Sequence, residues 1–281
     1  MLVVTDDAGD VAPELVEKYN IKIIPINIIF GTEEFLSGID MDRPAFYRKV
    51  ASVGDHNFPK TSQPTPYQYT EFFRELMAGG ETEFYVTTIS EKLSGTYASA
   101  LAARQELAGE ATIHLFDSMG GSAAQGYQTV EAARMAAEGA SAEEITARLT
   151  RMRDEMVVCF MIDSLDFAVK GGRVKPLRGT IASMLNIKPI MKLEDGLIVE
   201  EGRVRTLKKA HRYIVDFVKN RVGDRPIKFA AIHAGAPLAG QSIMDLASSE
   251  LNVTEKMLVD MTIPVAINLG PGALGLVAIP E

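Results

Sequence analysis

Short apolar runs alternate with amphipathic segments along the first half of the chain. Four of these runs are rich in β-branched or aromatic residues and predict strands: LVVT (2–5), IKIIPINIIF (21–30), EFYVTTI (83–89) and TIHLFD (112–117). Helical patterns follow most of them, and this order is typical of βα units around a mostly parallel sheet. We therefore predict an N-terminal α/β domain whose sheet is flanked by helices.

Capping residues mark the predicted helices of this half. In the segment PTPYQYTEFFRELMAGG (64–80), Thr65 is the expected N-cap, Pro66 the first helical residue and Gln68 the partner in a capping box. An Ala-rich stretch from about 121 to 153 predicts two further helices, with a second cap signal at Ser141. We place a domain boundary at the end of this stretch, which separates residues 1–154 from residues 155–281.

The second half predicts a different kind of sheet. It opens with the apolar run MVVCFMID (156–163) and continues with two runs, KPIMKLE and LIVEEGRV, joined by Asp195-Gly196. That dipeptide is a strong hairpin signal. Further helices are predicted from about Thr206 to Arg221 and from Leu238 to Leu251, and further strands over 228–234, 256–262 and 275–279. The C-terminal domain is therefore expected to be α/β, with helices on a mixed or antiparallel sheet.

Composition and charge narrow the possible partners. Hydrophobic residues make up 47% of the 281 residues and charged residues 23%, which is typical of a soluble globular protein. The net charge of −8 disfavours nucleic acid and anionic membrane surfaces. The single cysteine, Cys159, lies in an apolar run, and the N-terminus lacks the basic region of a signal peptide, so we expect a cytoplasmic protein. No apolar stretch approaches the roughly 18 residues of a membrane span, so stable membrane insertion is not expected.

Several catalytic and cofactor motifs are absent from the sequence. It contains no GxxxxGK[ST] phosphate loop, no HExxH, no GxSxG and no paired CxxC. The residues Gly270 to Gly275 satisfy GxGxxG, but six residues remain after them, too few for the helix that would hold a pyrophosphate. The four histidines, His56, His114, His211 and His233, lack metal-ligand spacing. We therefore predict neither a metal site nor a cofactor.

Small hydroxyl and glycine residues cluster at predicted strand exits and helix starts. These positions are Thr61-Ser62, Ser94-Gly95-Thr96, and Ser118 with Gly120-Gly121. In an open α/β sheet the strand C-termini share one edge, where helix N-termini present free N–H groups to an anion. The pattern indicates a carboxylate or phosphate site. The alternative is that these residues only cap helices.

Two charged clusters each allow a structural and a functional interpretation. Asp6, Asp7 and Asp10 follow the first strand. They are either Mg²⁺ ligands of an enzyme or part of a loop in which Asp10 caps a helix. Basic residues of the second half form either a solvated helix face or a docking patch for an acidic or phosphorylated partner. The basic cluster comprises Lys170, Arg173, Arg203, Arg205, Lys208, Lys209, His211 and Arg212.

The order and spacing of nine short motifs resemble those of the DegV family of bacterial fatty-acid-binding proteins, over essentially the whole chain. The motifs are TDDAGD (5–10), FLSGIDMD (35–42), KTSQPTP (60–66), EKLSGTYASA (91–100), FDS with glycines (116–121), SLDFAVKGGRV (164–174), NIKPI (186–190), EGRVRTLKKA (201–210) and NLGPGALG (268–275). The resemblance implies two α/β domains and a long-chain fatty acid in a deep tunnel near their interface. It also implies a carrier rather than an enzyme. Such a carrier presents the fatty-acid carboxylate to a separate ATP-binding kinase subunit, which forms an acyl phosphate for phospholipid metabolism.

The resemblance also assigns roles to individual residues. Thr61 and Ser94 match the hydroxyls that hold the carboxylate, and Ser62, Gly95 and Thr96 belong to the same two motifs. Arg205 matches a basic residue near the head group, and Arg173 belongs to the same head-group or partner region. Two positions depart from the family pattern: Asn268 replaces a common histidine, and Asp7 replaces a frequent serine.

The physical chemistry of a fatty acid agrees with a carrier. Burying about 15 methylenes at about 0.8 kcal/mol each supplies on the order of 12 kcal/mol, so the head group needs only to be oriented. The alternative class is a phosphotransferase or hydrolase of small phosphorylated metabolites, with its anion site at the same loops.

Overall fold

The computed structural model describes residues 1–52, 57–174 and 187–281. These residues form two compact units, Met1–Asp154 and Glu155–Glu281. Each unit packs helices against a sheet, so the chain consists of two α/β domains, as the sequence predicts.

The first unit follows the predicted alternation of strands and helices. Its parallel sheet has the spatial order β2-β1-β6-β7, and a smaller antiparallel sheet has the order β4-β3-β5. In chain order the elements are β1 (Leu2–Asp6), α1 (Pro13–Lys18), β2 (Lys22–Ile24), β3 (Asn27–Phe30), β4 (Glu33–Leu36), α2 (Arg43–Ser52), β5 (Lys60–Ser62), α3 (Pro66–Ala78), β6 (Glu83–Thr88), α4 (Thr96–Glu106), β7 (Thr112–Asp117), α5 (Ala123–Ala137) and α6 (Ala142–Glu155).

The prediction of one continuous strand over residues 21–30 is wrong. The run IKIIPINIIF divides into β2, which pairs with β1, and β3, which pairs with β4 and β5 in the other sheet. The division falls at Pro25, which has no N–H for a sheet hydrogen bond and whose fixed φ favours a turn out of the ladder. This change of sheet brings β5, with Thr61 and Ser62, next to β3.

The capping box of α3 is confirmed and places an aromatic core. The Thr65 hydroxyl accepts from the Gln68 backbone at 3.1 Å, while the Gln68 side chain accepts from the Thr65 backbone at 2.9 Å. The helix buries Tyr69 and Phe73 completely, and the Phe73 ring centroid lies 5.2 Å from that of Phe84 on β6. This apolar face fixes α3 against the parallel sheet.

The second unit contains a mixed sheet with the spatial order β10-β9-β8-β13-β11-β12, in which β11 and β12 are parallel. Its elements are β8 (Val157–Met161), α7 (Leu165–Gly171), β9 (Lys188–Glu194), β10 (Leu197–Val204), α8 (Leu207–Val222), β11 (Ile227–His233), α9 (Pro237–Glu250), β12 (Val253–Asp260), α10 (Ile263–Leu269) and β13 (Leu274–Pro280).

Local signals in this unit behave as predicted. Asp195 and Gly196 both have positive φ, 49° and 73°, and join β9 to the antiparallel β10. The Thr206 hydroxyl accepts from the Lys209 backbone and caps α8. Gly275 lies in β13 rather than at a helix start, so the GxGxxG pattern has no dinucleotide-binding context. No helix in the described ranges has the length and apolar character needed to cross a membrane.

Candidate functional site

Three loops meet at the C-terminal edge of the parallel sheet. We call residues 6–10, 89–95 and 118–122 the edge loops. Main-chain hydrogen bonds join them: the Ser122 amide donates to the Ala8 carbonyl at 2.7 Å, and the Ser90 amide donates to the Gly120 carbonyl at 2.8 Å. The Asp10 amide donates back to the Ser122 carbonyl at 3.2 Å. The shared strand edge predicted from the sequence therefore brings these loops into contact.

Asp6 ties two edge loops together. Its buried carboxylate accepts from the Ala8 amide at 2.9 Å and from the Ile89 amide at 2.8 Å. Burial raises the pKa of Asp6, and the amide hydrogen bonds partly offset that increase. The Asp6 carboxylate is thus held by backbone amides of two edge loops.

Asp10 does not cap a helix, so the capping interpretation was wrong. The N-cap of α1 is Ala12, which has no capping side chain, and Pro13 begins the helix. The Asp10 carboxylate instead accepts from the Ser122 hydroxyl and lies 3.9 Å from Arg43 Nη2. No group of three metal-ligating side chains capable of holding an ion is found in the described part of the chain.

Asp7 also lies in an environment that raises its pKa. Burial raises its pKa to about 7, and the charges of Asp10 and Asp6 add to the increase. A hydrogen bond from Ser37 and the charge of Arg43 act in the opposite direction. A carboxyl group with this pKa changes between its protonated and ionised forms near neutral pH.

The segment Ser94-Gly95-Thr96 opens α4 with polar groups but no capping side chain. The hydroxyls of Ser94 and Thr96 lie 2.8 Å apart and share a hydrogen bond. Gly95 is the N-cap and has no capping side chain, although the Thr96 amide donates to Ser94 Oγ at 3.4 Å. The other amides of the first turn and the positive end of the helix dipole suit an anion. A Cβ on Gly95 would lie 2.8 Å from Gln63 Nε2, so the amide of Gln63 packs directly over this glycine.

Thr61 and Ser62 are not helix caps. Both lie on β5, where Thr61 is opposite Ile28 and Ser62 opposite Asn27, and Thr65 is the N-cap of the following helix. Because Gln63 follows them directly and contacts Gly95, the two predicted hydroxyl motifs lie side by side in the first unit. Ser118 differs, since its hydroxyl accepts from the Gly120 amide of its own loop at 3.1 Å.

In the second unit, Asn268 and Arg173 share a common neighbour. Asn268 Nδ2 donates to the Pro264 carbonyl at 2.8 Å, and a Cβ on Gly171 would lie 2.9 Å from Asn268 Oδ1. Arg173 donates to the Gly171 carbonyl at 2.7 Å, and burial lowers the pKa of its guanidinium group. Arg205 is exposed between β10 and α8.

The basic cluster divides into paired and unpaired side chains. Arg203 pairs with Glu200, and Arg212 with Glu250 and Asp216. In the described ranges, neither Lys208 nor Lys209 forms an ion pair; both border a groove of about 920 Å³ between α8 and α9. His56 and the first residue of the motif NIKPI lie outside the described residues.

Four residues that contact the edge loops were not among the predicted site residues: Ser37, Arg43, Gln63 and Ser122. Each contacts a partner far along the chain, as Ser122 does with Asp10 and Gln63 with Gly95. The cue available for Gln63 was its position between the two hydroxyls and the Pro-capped helix. No local pattern marked Arg43.

The chain thus combines two α/β domains with a sheet edge at which hydroxyl groups and a helix N-terminus without a side-chain cap lie close together, an arrangement that suits an anion. The chain belongs to the DegV family, whose description reads "Uncharacterised protein, DegV family" and which it matches over residues 1–281. This confirms the resemblance inferred from the motifs.

Known relatives cover the whole fold. A DegV domain-containing protein of Caldanaerobacter subterraneus is 31% identical over 277 residues, which are 98% of this chain and 96% of that protein. A DegV family protein from Thermus thermophilus, described by its fatty acid binding, has a TM-score of 0.90 at 27% identity, covering 100% of this chain and 99% of its own. A stearic acid-binding protein from Eubacterium ventriosum has a TM-score of 0.90 at 26% identity, covering 100% of this chain and 98% of its own.

Proposed function

We propose that this protein binds a long-chain fatty acid and holds its carboxylate with Thr61, Ser62, Ser94, Gly95 and Thr96. The observation that carries the proposal is the contact of Gln63 with Gly95, which puts the hydroxyl-bearing β5 beside the uncapped start of α4. Hydroxyls and helix amides together suit a carboxylate, because both donate hydrogen bonds and the helix N-terminus carries a partial positive charge. The fatty-acid binding described for two solved family members supports this choice of ligand.

We propose a carrier rather than an enzyme for this chain. The enzyme alternative depends on Asp6, Asp7 and Asp10 acting as Mg²⁺ ligands. Asp6 is instead occupied by two backbone amides, and Asp10 by Ser122 and Arg43. These contacts support a structural role for both carboxylates and weaken the case for a phosphotransferase or hydrolase.

We further propose that the carrier works in the cytoplasm and presents the carboxylate to an ATP-dependent kinase subunit for acyl-phosphate formation. Asn268, Arg173 and Arg205 remain predictions as head-group or partner residues. The unpaired Lys208 and Lys209 are suited to meet an acidic or phosphorylated surface. Reversing both charges should slow phosphoryl transfer by a cognate kinase more than it weakens fatty-acid binding. Unchanged turnover would identify them as solvent-exposed helix residues only.

Solvent extraction of the purified protein followed by mass spectrometry tests the ligand directly. We expect fatty acid at close to one equivalent, since an apolar tunnel is poorly stable when empty and the cytoplasm supplies free fatty acids. Delipidated protein should then bind added stearate in calorimetry and bind stearyl alcohol more weakly, because the alcohol lacks the charged head group. A protein that carries no lipid and binds neither compound would contradict the proposal.

A further inference from the structure

The loop after β1 carries an unusual concentration of acid. Three carboxylates lie within five residues, and Asp6 and Asp10 each receive donors from other loops. Asp7 receives a hydrogen bond from Ser37, while its Oδ2 is shielded from solvent and has no hydrogen-bond partner among the described residues. An ionised carboxylate there would be a buried charge that Ser37 and Arg43 compensate only in part, which is unfavourable. A protonated Asp7 would instead offer an O–H donor from this position.

The charges around Asp7 do not neutralise it. Arg43 on α2 is 3.9 Å from Asp10, and its side chain is 41% exposed to solvent. Asp6 and Asp10 contribute negative charge from the same loop. The Tyr69 hydroxyl on α3 has a pKa raised well above its ordinary value by burial, so it stays neutral near pH 7. With a pKa near 7, the Asp7 carboxyl can gain a proton when another anion approaches.

The Asp7 loop is linked to both proposed sources of head-group donors. On one side its amide donates to Ile24, and the amide of its partner Ser37 donates to Ile26. The next residue, Asn27, is opposite Ser62 on β5. On the other side, Asp6 is bonded to Ile89 in the edge loop that leads to Ser94. Hydrogen bonds and strand pairing therefore link the Asp7 loop to both segments that carry the proposed head-group hydroxyls.

We propose that Asp7 couples a proton to ligand binding, so that each carboxylate ligand is held together with one proton on Asp7. The inference rests on the proposed function and adds a regulatory property to it. The protonated carboxyl group donates a hydrogen bond or leaves the site uncharged, whereas the ionised group repels the ligand carboxylate. A serine at this position has no such charge, so the property belongs to chains with aspartate here.

Binding of decanoate, a soluble fatty acid that stays ionised above pH 6, measures this coupling. Isothermal titration calorimetry is run from pH 6.0 to 8.5 on the wild type, Asp7→Asn, Asp7→Ser and Glu34→Gln. Glu34 is an exposed glutamate on β4, so its replacement removes one negative charge away from the cluster. Repeating each titration in two buffers of different ionisation enthalpy counts the protons taken up per ligand. Circular dichroism confirms that each variant is folded.

For the wild type we expect the dissociation constant to rise by up to about tenfold per pH unit above pH 7, with proton uptake approaching one per ligand at pH 8. Glu34→Gln should behave in the same way. Asp7→Asn and Asp7→Ser should bind with nearly constant affinity and without proton uptake. Parallel curves for wild type and Asp7→Asn would overturn the proton coupling while leaving fatty-acid binding intact. Absence of binding by every protein at every pH, for decanoate and for stearate alike, would overturn the proposed function and the coupling with it.

Discussion

Replacing Gly126 with alanine should destabilise the first unit, although alanine is the better helix former. Gly126 lies near the start of α5, and an ideal Cβ there would be 2.1 Å from the Asp10 carbonyl oxygen. That oxygen belongs to backbone, so no side-chain rotation can relieve the clash. To reach ordinary contact, the helix and the loop would have to separate by more than an ångström. The helix and the loop are also held together by the hydrogen bonds between Ser122 and residues 8 and 10.

Two opposing free-energy contributions decide whether Gly126→Ala stabilises or destabilises the protein. Alanine gains about 1 kcal/mol over glycine in a helix interior. Overpacking costs about 1–3 kcal/mol, and each weakened hydrogen bond between the loops adds about 0.5–1.5 kcal/mol. The net free energy of unfolding should therefore fall by about 2 kcal/mol. Because Asp10 moves, the contact of its carboxylate with Arg43 should loosen as well.

Urea unfolding followed by circular dichroism gives the free energy, and hydrogen exchange read by mass spectrometry locates the loss. Gly126→Ala should exchange faster in peptides covering residues 2–10 and 118–130, with no change in peptides beyond 188. Ala136→Gly in the same helix is the matched control, since it measures the difference in helix propensity between alanine and glycine without a steric clash. A Gly126→Ala protein as stable as the wild type, or more stable, would refute the steric reasoning.

Three further predictions address the site. Thr61→Ala and Ser94→Ala should each weaken fatty-acid binding by about 1–3 kcal/mol in calorimetry, while Thr150→Ala on α6 should not. Equal affinities would place the carboxylate elsewhere. Asn268→Ala should weaken binding, and Asn268→His should bind more tightly as pH falls toward 6, because an imidazole gains charge there; parallel pH curves would remove this residue from the head-group contacts. The folded-state pKa of Asp7, about 7 against an ordinary 3.8, means that the folded protein retains a proton which the unfolded chain releases. Stability should therefore fall as pH rises from about 4 through 7, by at most about 4 kcal/mol, and Asp7→Asn should remove that slope in urea titrations.

Features set by neighbouring residues could be predicted from the sequence. The capping box of Thr65 and Gln68 and the hairpin at Asp195-Gly196 each depend on residues at most three positions apart, and both form as expected. The order of strands and helices follows from the same local patterns. Ser94 and Thr96 also interact within their own turn.

Features that depend on distant pairing were missed. The strands β4 and β5 have three or four residues and carry exposed polar side chains, so their sequences lack apolar alternation. The short helices α7 and α10 gain stability from packing against each other rather than from propensity. Gln63 meets Gly95 across 32 positions of sequence, and Asp10 meets Ser122 across 112. No spacing rule connects such pairs.

The main-chain hydrogen bonds among the edge loops bear on how the family diversifies. Amides and carbonyls of Ala8, Ser90, Gly120 and Ser122 hold the loops in register whatever side chains those positions carry. A substitution at position 7 can therefore change the charge of this loop while these backbone hydrogen bonds stay in place. Two solved relatives with 26–27% identity to this chain have TM-scores of 0.90. The backbone fold is thus kept while most side chains differ. Ligand preference and sensitivity to the environment are then free to evolve one residue at a time.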